Sequence, residues 1–263
     1  MRYLFAILLL FHAEGKAGDS LSFPARIAGD ALTVLNDGGE YFTAPLHASG
    51  SGWLVAGALA GGVGLSSAAD NPLRNPVMSS RSAAGDNLAS FGSRYGNAVY
   101  GIGFSGILYA AGLWSGNRPW SETGMLLFES IACAGITTTV VKTVVGRSRP
   151  YTGEGPGRFR PWTFDDDHLS FPSGHSTVAF AVSSVLARRA DNPAVTILLY
   201  TAAVVTSWSR MYNDEHWLSD NLAGALIGMS AGLSVGSRRL GGDAEGAFRI
   251  EPAGAGLRAE YRF

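Results

Sequence analysis

Residues 95–117 read YGNAVYGIGFSGILYAAGLWSGN, a stretch without one charged side chain, bounded by Arg94 and Arg118. Its length meets the roughly 20 apolar residues that an α-helix needs to cross a bilayer. Apolar and polar positions do not alternate with period two, so a helix is predicted and not a strand. Working outward, five more apolar segments share this character: 52–67, 123–141, 174–187, 194–209 and 217–236. Clusters of Gly, Pro, Asn and Arg separate them, as helix ends do. The expected fold class is all-α, a bundle of about six core helices associated with a membrane. Segment 194–209 is short for a span and segment 123–141 contains Glu129, so a soluble bundle stays open as the alternative. Glu129 is expected to bond to a neighbouring helix or to face a polar seam.

The 263 residues suffice for one sizeable domain. A formal net charge of -1 offers no bulk attraction to nucleic acid, and no such partner is expected. Many of the 35 glycines fall inside the apolar segments, where they weaken a soluble helix but suit close contact between membrane helices. Cys133 is the sole cysteine, which rules out an internal disulfide, and it reads as a small core residue.

Three sets of residues carry chemistry. Lys142 ends the third apolar helix, Arg149 follows seven residues later, and Pro150 turns the chain there. A point charge and a planar fork both suit the oxygens of a tetrahedral phosphate, although alone the pair would read as interfacial anchors. Pro172-Ser173-Gly174-His175 opens the next helix. Backbone N–H groups at a helix start bind anions, Gly174 admits the ligand close to the main chain, and His175 stands ready to protonate a leaving alkoxide. Ser173 also fits an N-cap. Ser209-Arg210 ends the fifth helix, His216 begins the sixth, and Asp220 lies four residues on. That spacing lets a carboxylate accept the imidazole N–H and free the other ring nitrogen to attack phosphorus.

Together, Lys142-x6-Arg149-Pro150, Pro172-Ser173-Gly174-His175 and Ser209-Arg210-x5-His216-x3-Asp220 resemble the three-part signature of the type 2 phosphatidic acid phosphatase (PAP2) superfamily. The resemblance covers about residues 95–236. It implies a helical bundle with the three motifs converging at one end. It further implies that His216 attacks phosphorus to form a phosphohistidine while Asp220 orients it. His175 would protonate the leaving group and then deprotonate the attacking water. Lys142, Arg149, Ser173, the Gly174 N–H and Arg210 would hold the equatorial oxygens as charge builds. No metal or other cofactor is implied, and Asp165, Asp166, Asp167 and His168 read as a solvated acidic turn. The implied substrate is a phosphorylated lipid, such as phosphatidate, phosphatidylglycerol phosphate, an isoprenyl diphosphate or a lipid A phosphate. Alternatives are a soluble periplasmic acid phosphatase on small phosphomonoesters, a vanadium haloperoxidase, and a non-enzymatic phosphate-binding protein. No oligomeric state is assigned.

Around this core, residues 1–17 are expected to be a signal peptide: Met1-Arg2, an apolar run from Tyr3 to Phe11, then Ala13 and Ala17 among small and polar residues. A membrane-surface anchor is the alternative. Residues 18–94 form an N-terminal helical extension, with Asp37-Gly38-Gly39 read as a turn. Residues 95–240 are the catalytic core and 241–263 a tail whose last part fits a small β-hairpin around Gly254-Ala255-Gly256. Residues 151–170, rich in Gly, Pro, Arg and Asp, read as a lid or substrate-facing loop, in which Arg158 and Arg160 could meet a second phosphate. Arg118, Arg188-Arg189 and Arg238-Arg239 sit at helix ends opposite the motifs, so the positive-inside tendency turns the site outward, provided segment 52–67 does not cross.

Overall fold

The computed structural model describes residues 23–239, 248–253 and 256–261. The expected signal peptide and the start of the tail lie outside these. Nine α-helices occur among the described residues: α1 (Phe23–Thr43), α2 (Gly50–Ser66), α3 (Asp70–Ser79), α4 (Ala83–Tyr95), α5 (Ala98–Ser115), α6 (Arg118–Val145), α7 (Gly174–Ala190), α8 (Pro193–Tyr212) and α9 (Leu218–Arg239). All six apolar segments are helical, and α1, α3 and α4 join them. The helix starts follow local chemistry. The Asn97, Asn117 and Asn192 side chains cap α5, α6 and α8, and Pro119 and Pro193 occupy first turns where a missing N–H costs nothing. Gly146 ends α6 with φ 61°, and a Cβ there would stand 1.8 Å from the Arg160 carbonyl oxygen. Only glycine fits that stop.

Helix α7 is the axis of the bundle, buried at every position from Ser176 to Ala187. Helix α9 reaches it through a row of glycines four residues apart. A Cβ on Gly224 would lie 2.4 Å from the Ser173 carbonyl oxygen, and one on Gly228 would lie 2.2 Å from that of Thr177. Backbone therefore packs on backbone, the geometry of close helix pairs in membranes. Gly112 and Gly124 bring α5 and α6 together in the same way. Leu108, Leu126, Leu127, Ile131, Val178, Val182, Val185, Leu199 and Val235 fill the space between these helices.

Helix α1 runs straight through Asp37-Gly38-Gly39, where a turn was expected. The reason is tertiary: α1 lies parallel to α6, with Arg26 bonded to Ser121 (3.0 Å) and Gly38 passing Cys133, whose sulfur would be 3.9 Å from a Cβ at that position. A Cβ there would make only ordinary van der Waals contact, and Tyr109 ties α1 further through Asp30 (2.8 Å). A short 3-10 turn, Ser67–Ala69, joins α2 to α3.

Four helical segments are long and apolar enough to cross a membrane: Gly50–Ser79, Ala98–Ser115, Arg118–Val145 and Pro193–Tyr212. Their outer faces expose Leu54, Leu65, Ile107, Trp114, Ile136, Val140, Ile197 and Leu198. Exposed apolar surface of that extent fits lipid contact and not water, and the protein is membrane-associated. None of the apolar window of Gly50–Ser79 is buried by the rest of the bundle. Helix α1 starts beside the Arg118 end of α6 and runs along it towards the motif end, and α3 starts among the motifs. In the tail, strands β1 (Phe248–Ala253) and β2 (Gly256–Tyr261) pair antiparallel, Phe248 opposite Tyr261 and Ala253 opposite Gly256, as the hairpin reading expected.

Candidate active site

The three motifs come from four separated places in the chain and meet at one end of the bundle. Lys142 reaches that end in the last turn of α6 and donates to the carbonyls of Leu169 and Ser170. Arg149 follows the Gly146 stop and stands just before the bend at Pro150. Ser173 caps α7, accepting from the Ser176 N–H (3.4 Å), and its own N–H donates to the Asp220 carbonyl (2.9 Å), which fixes the start of α7 against α9. Gly174 is the first residue of α7, and a Cβ on it would lie 3.9 Å from Lys142 Cε. Arg210 ends α8 and is buried, with one guanidinium N–H on Ser93 of α4 (3.3 Å).

His216 and Asp220 differ from expectation in detail. Helix α9 begins at Leu218, so His216 lies in the loop just before it. Asp220 instead reaches back as a capping carboxylate and accepts the Trp217 N–H (2.9 Å). His216 Nδ1 stands 3.7 Å from Asp220 Oδ2, an ion-pair distance and too long for a hydrogen bond. Ser170 sits between them: its hydroxyl bonds to Asp220 Oδ2 and lies 3.4 Å from His216 Nδ1. Active-site contacts of this kind tighten when a ligand is bound.

The electrostatics follow from burial and from the convergence of cations. Desolvation lowers the pKa of His175 to about 4, with Arg210, Lys142 and Arg149 acting in the same sense. His216 is held below its ordinary range chiefly by burial, aided by Lys142 and Arg149, and the opposing pull of Asp220 does not reverse this. Burial pushes the Asp220 carboxyl up, but the His216 contact, the Arg147 charge and the Ser170 hydroxyl outweigh it and leave it low. Both imidazoles are therefore neutral beside cations at neutral pH. A phosphate dianion placed there would favour their protonated forms.

An acidic side chain bridges two of the cations. Glu215 Oε2 accepts from Arg149 Nη1 (2.7 Å) and lies 3.6 Å from Arg210 Nη2. Arg149 is held as well by Asp166, through its carbonyl (2.8 Å) and its carboxylate (2.9 Å).

Four partners were missed from sequence. Arg147, two residues before Arg149, is 4% exposed and donates to Asp220 Oδ1 (2.6 Å), Ser219 Oγ (2.7 Å) and Asp70 Oδ2 (2.7 Å). Its guanidinium lies between the rings of Phe159 and Trp217, 5.9 and 5.8 Å from their centroids. Asp70, 1% exposed, comes from the N-terminal extension. Ser170 was read as the edge of a loop, and Glu215 as a spacer. Arg147 had a signal, a third cation in the loop of Arg149; Asp70 had none. The Arg158 backbone carbonyl accepts from the Ser148 N–H (3.0 Å), and Arg160 pairs loosely with Glu154 (3.5 Å). Asp165, Asp166 and Asp167 are exposed, as a solvated acidic turn should be, whereas His168 is buried beneath them, with its ring nitrogens 2.9 Å from Asp165 and 3.0 Å from Glu154.

Residues 123–237 match the family model described as the PAP2 superfamily. A stretch of 110 residues is 29% identical to the lipid A 1-phosphatase of Rhizobium etli, covering 41% of this chain and 47% of that protein. Over 135 residues the chain is 42% identical to a candidate undecaprenyl-diphosphatase, YbjG, of Escherichia coli (strain K12), covering 49% of this chain and 63% of that protein. The match thus spans about half to under two thirds of these relatives. The crystal structure of a transmembrane PAP2 type phosphatidylglycerolphosphate phosphatase from Bacillus subtilis shares the fold, with a TM-score of 0.52 at 20% identity over 79% of this chain and 92% of that one.

Proposed function

From the match of residues 123–237 to the PAP2 superfamily model, we propose that the protein is a metal-independent phosphatase of lipid phosphate esters or diphosphates. The observation that carries the reading is the clustering of Lys142, Arg149 and Arg210 about the half-buried His175 and the buried His216, where Arg149 and Arg210 already share the carboxylate of Glu215. The names of the relatives support a lipid substrate, as do the candidate spans beside the site.

In this reading the phosphate displaces Glu215 and takes up the fork of Arg149, the cations of Lys142 and Arg210, the Ser173 hydroxyl and the N–H groups at the start of α7. His216 Nε2 attacks phosphorus, with Asp220 stabilising the positive charge that grows on the ring. As the P–N bond forms, the P–O bond to the lipid breaks, and His175 gives its proton to the departing oxygen. A water then attacks the phosphohistidine, its proton passes to His175, the P–N bond breaks and phosphate leaves. Charge on the equatorial oxygens is met by protein cations and backbone dipoles, which is why the reading calls for no metal.

The site would face outward, with the Arg118 and Arg188-Arg189 ends in the cytoplasm. Arg189 bonds to the Pro119 carbonyl (3.0 Å), so those ends are neighbours. Because α1 begins at that same end, an outward-facing site goes with a cytoplasmic start of α1.

The test is phosphate release from purified protein in bilayers, over lipid mono- and diphosphates and soluble phosphomonoesters, with His216→Ala as the control and EDTA present. Full activity in the variant sinks the mechanism. Preference for soluble esters replaces the lipid reading with the acid-phosphatase one.

A further inference from the structure

We propose that Asp70, in the N-terminal extension, is a positioning residue for the catalytic pair, acting on Asp220 through Arg147. The inference rests on the functional reading above and extends it to a part of the chain outside residues 123–237.

The contacts form one buried line. Asp70 Oδ1 accepts the Ser219 N–H (2.9 Å), and Oδ2 accepts from Ser219 Oγ (2.7 Å) and Arg147 Nη2 (2.7 Å). Arg147 Nη1 in turn donates to Asp220 Oδ1 (2.6 Å), and its Nε donates to the Pro156 carbonyl (2.8 Å). The other oxygen of Asp220 faces His216. Asp70, Arg147, Asp220 and His216 are all at most 4% exposed, so their charges act on one another with little screening by water.

Charge gives Asp70 more than a packing role. Paired with Asp220 alone, Arg147 would neutralise that carboxylate and weaken its pull on the imidazole. Asp70 takes a share of the guanidinium, so the cluster of two carboxylates and one cation keeps a net negative charge behind His216. Asp70 also sets the direction of Arg147, whose planar fork has one arm for each carboxylate. Helix α3 grips the same loop a second time: Arg74 donates from Nε and Nη2 to the two oxygens of Asp214 (both 2.7 Å) and lies over Trp217. The start of α3 therefore completes a site whose motifs lie more than 70 residues further along the chain.

The deciding variant is Asp70→Asn, which keeps shape and can still accept from Ser219 but removes the charge. On a lipid phosphate that the wild type hydrolyses, we expect kcat to fall about tenfold or more with KM within about twofold, in line with other groups that orient a catalytic residue from behind. The 15N side-chain signals of His216 should shift away from the single tautomer with a proton on Nδ1. A kcat within about twofold of wild type, with unchanged His216 signals, overturns the proposal. If Asp70→Asn does not accumulate, Ser219→Ala keeps all the charges and removes the hydroxyl that anchors Asp70; kcat should drop about threefold at unchanged KM, and no drop overturns the proposal equally. Absence of turnover in the wild type would count against the phosphatase reading, whereas the His216 signals would still decide the role of Asp70.

Discussion

At the scale of single residues, Glu215 makes the clearest demand. Its carboxylate competes with any phosphate for Arg149 and Arg210. Glu215→Gln keeps the shape and removes the competing charge, so inorganic phosphate should inhibit the variant at roughly tenfold lower concentration, about 1.4 kcal/mol. Unchanged inhibition would show that Glu215 lies outside the phosphate's path. His216→Ala should lose at least about 10³ in kcat, as removal of a nucleophile does, and acid-quenched turnover with 32P-labelled substrate should label the wild type and not the variant. The imidazoles also set a pH dependence. His175 titrates near 4 when folded against an ordinary 6.5, so between those values the unfolded chain binds a proton that the folded one refuses. Stability of the ligand-free protein should therefore fall as the pH drops from about 6.5 towards 4. His175→Asn should remove roughly 2–3 kcal/mol of that decline, seen as a flatter plot of thermal midpoint against pH.

At the scale of elements, the contact of α7 with α9 decides whether the site exists, because one helix begins at Ser173-Gly174-His175 and the other carries Asp220. Gly228→Val would drive a side chain into the Thr177 carbonyl, 2.2 Å from where a Cβ would stand. Overpacking of this kind costs about 1–3 kcal/mol, and a drop of several degrees in the thermal midpoint should accompany loss of activity on every substrate. Gly29→Ala, on α1 and open to its surroundings, serves as the control. The glycine row was legible in sequence as a preference for close packing, and so were the six apolar helices, because both signals are local and periodic. The motif residues were legible for the same reason, each standing at a helix end marked by Gly, Pro or a capping side chain. Helix α1 was not, since turn chemistry at Asp37-Gly38-Gly39 says nothing of α6 lying alongside. Asp70 was hidden most deeply: its partners Arg147 and Ser219 are 77 and 149 residues away, and no spacing rule reaches that far.

At the scale of the whole molecule, the described bundle has two unlike ends, one bearing the motifs and one bearing Arg118, Arg188 and Arg189. Single cysteines in a Cys133→Ser background test how they are placed. A membrane-impermeant maleimide applied to intact cells should label Phe164→Cys, whose position is 85% exposed at the motif end, and should label Ser115→Cys only after permeabilisation. The reverse pattern would turn the protein over. Outside the bundle lies α2, its apolar window unburied by the rest of the protein and continuous, through a three-residue joint, with the helix that starts at Asp70. Bilayer thickness then becomes an input to the chemistry: a membrane too thin or too thick would tilt this outrigger, and the strain would arrive at its inner tip, a guanidinium and a carboxylate away from the His216 ring.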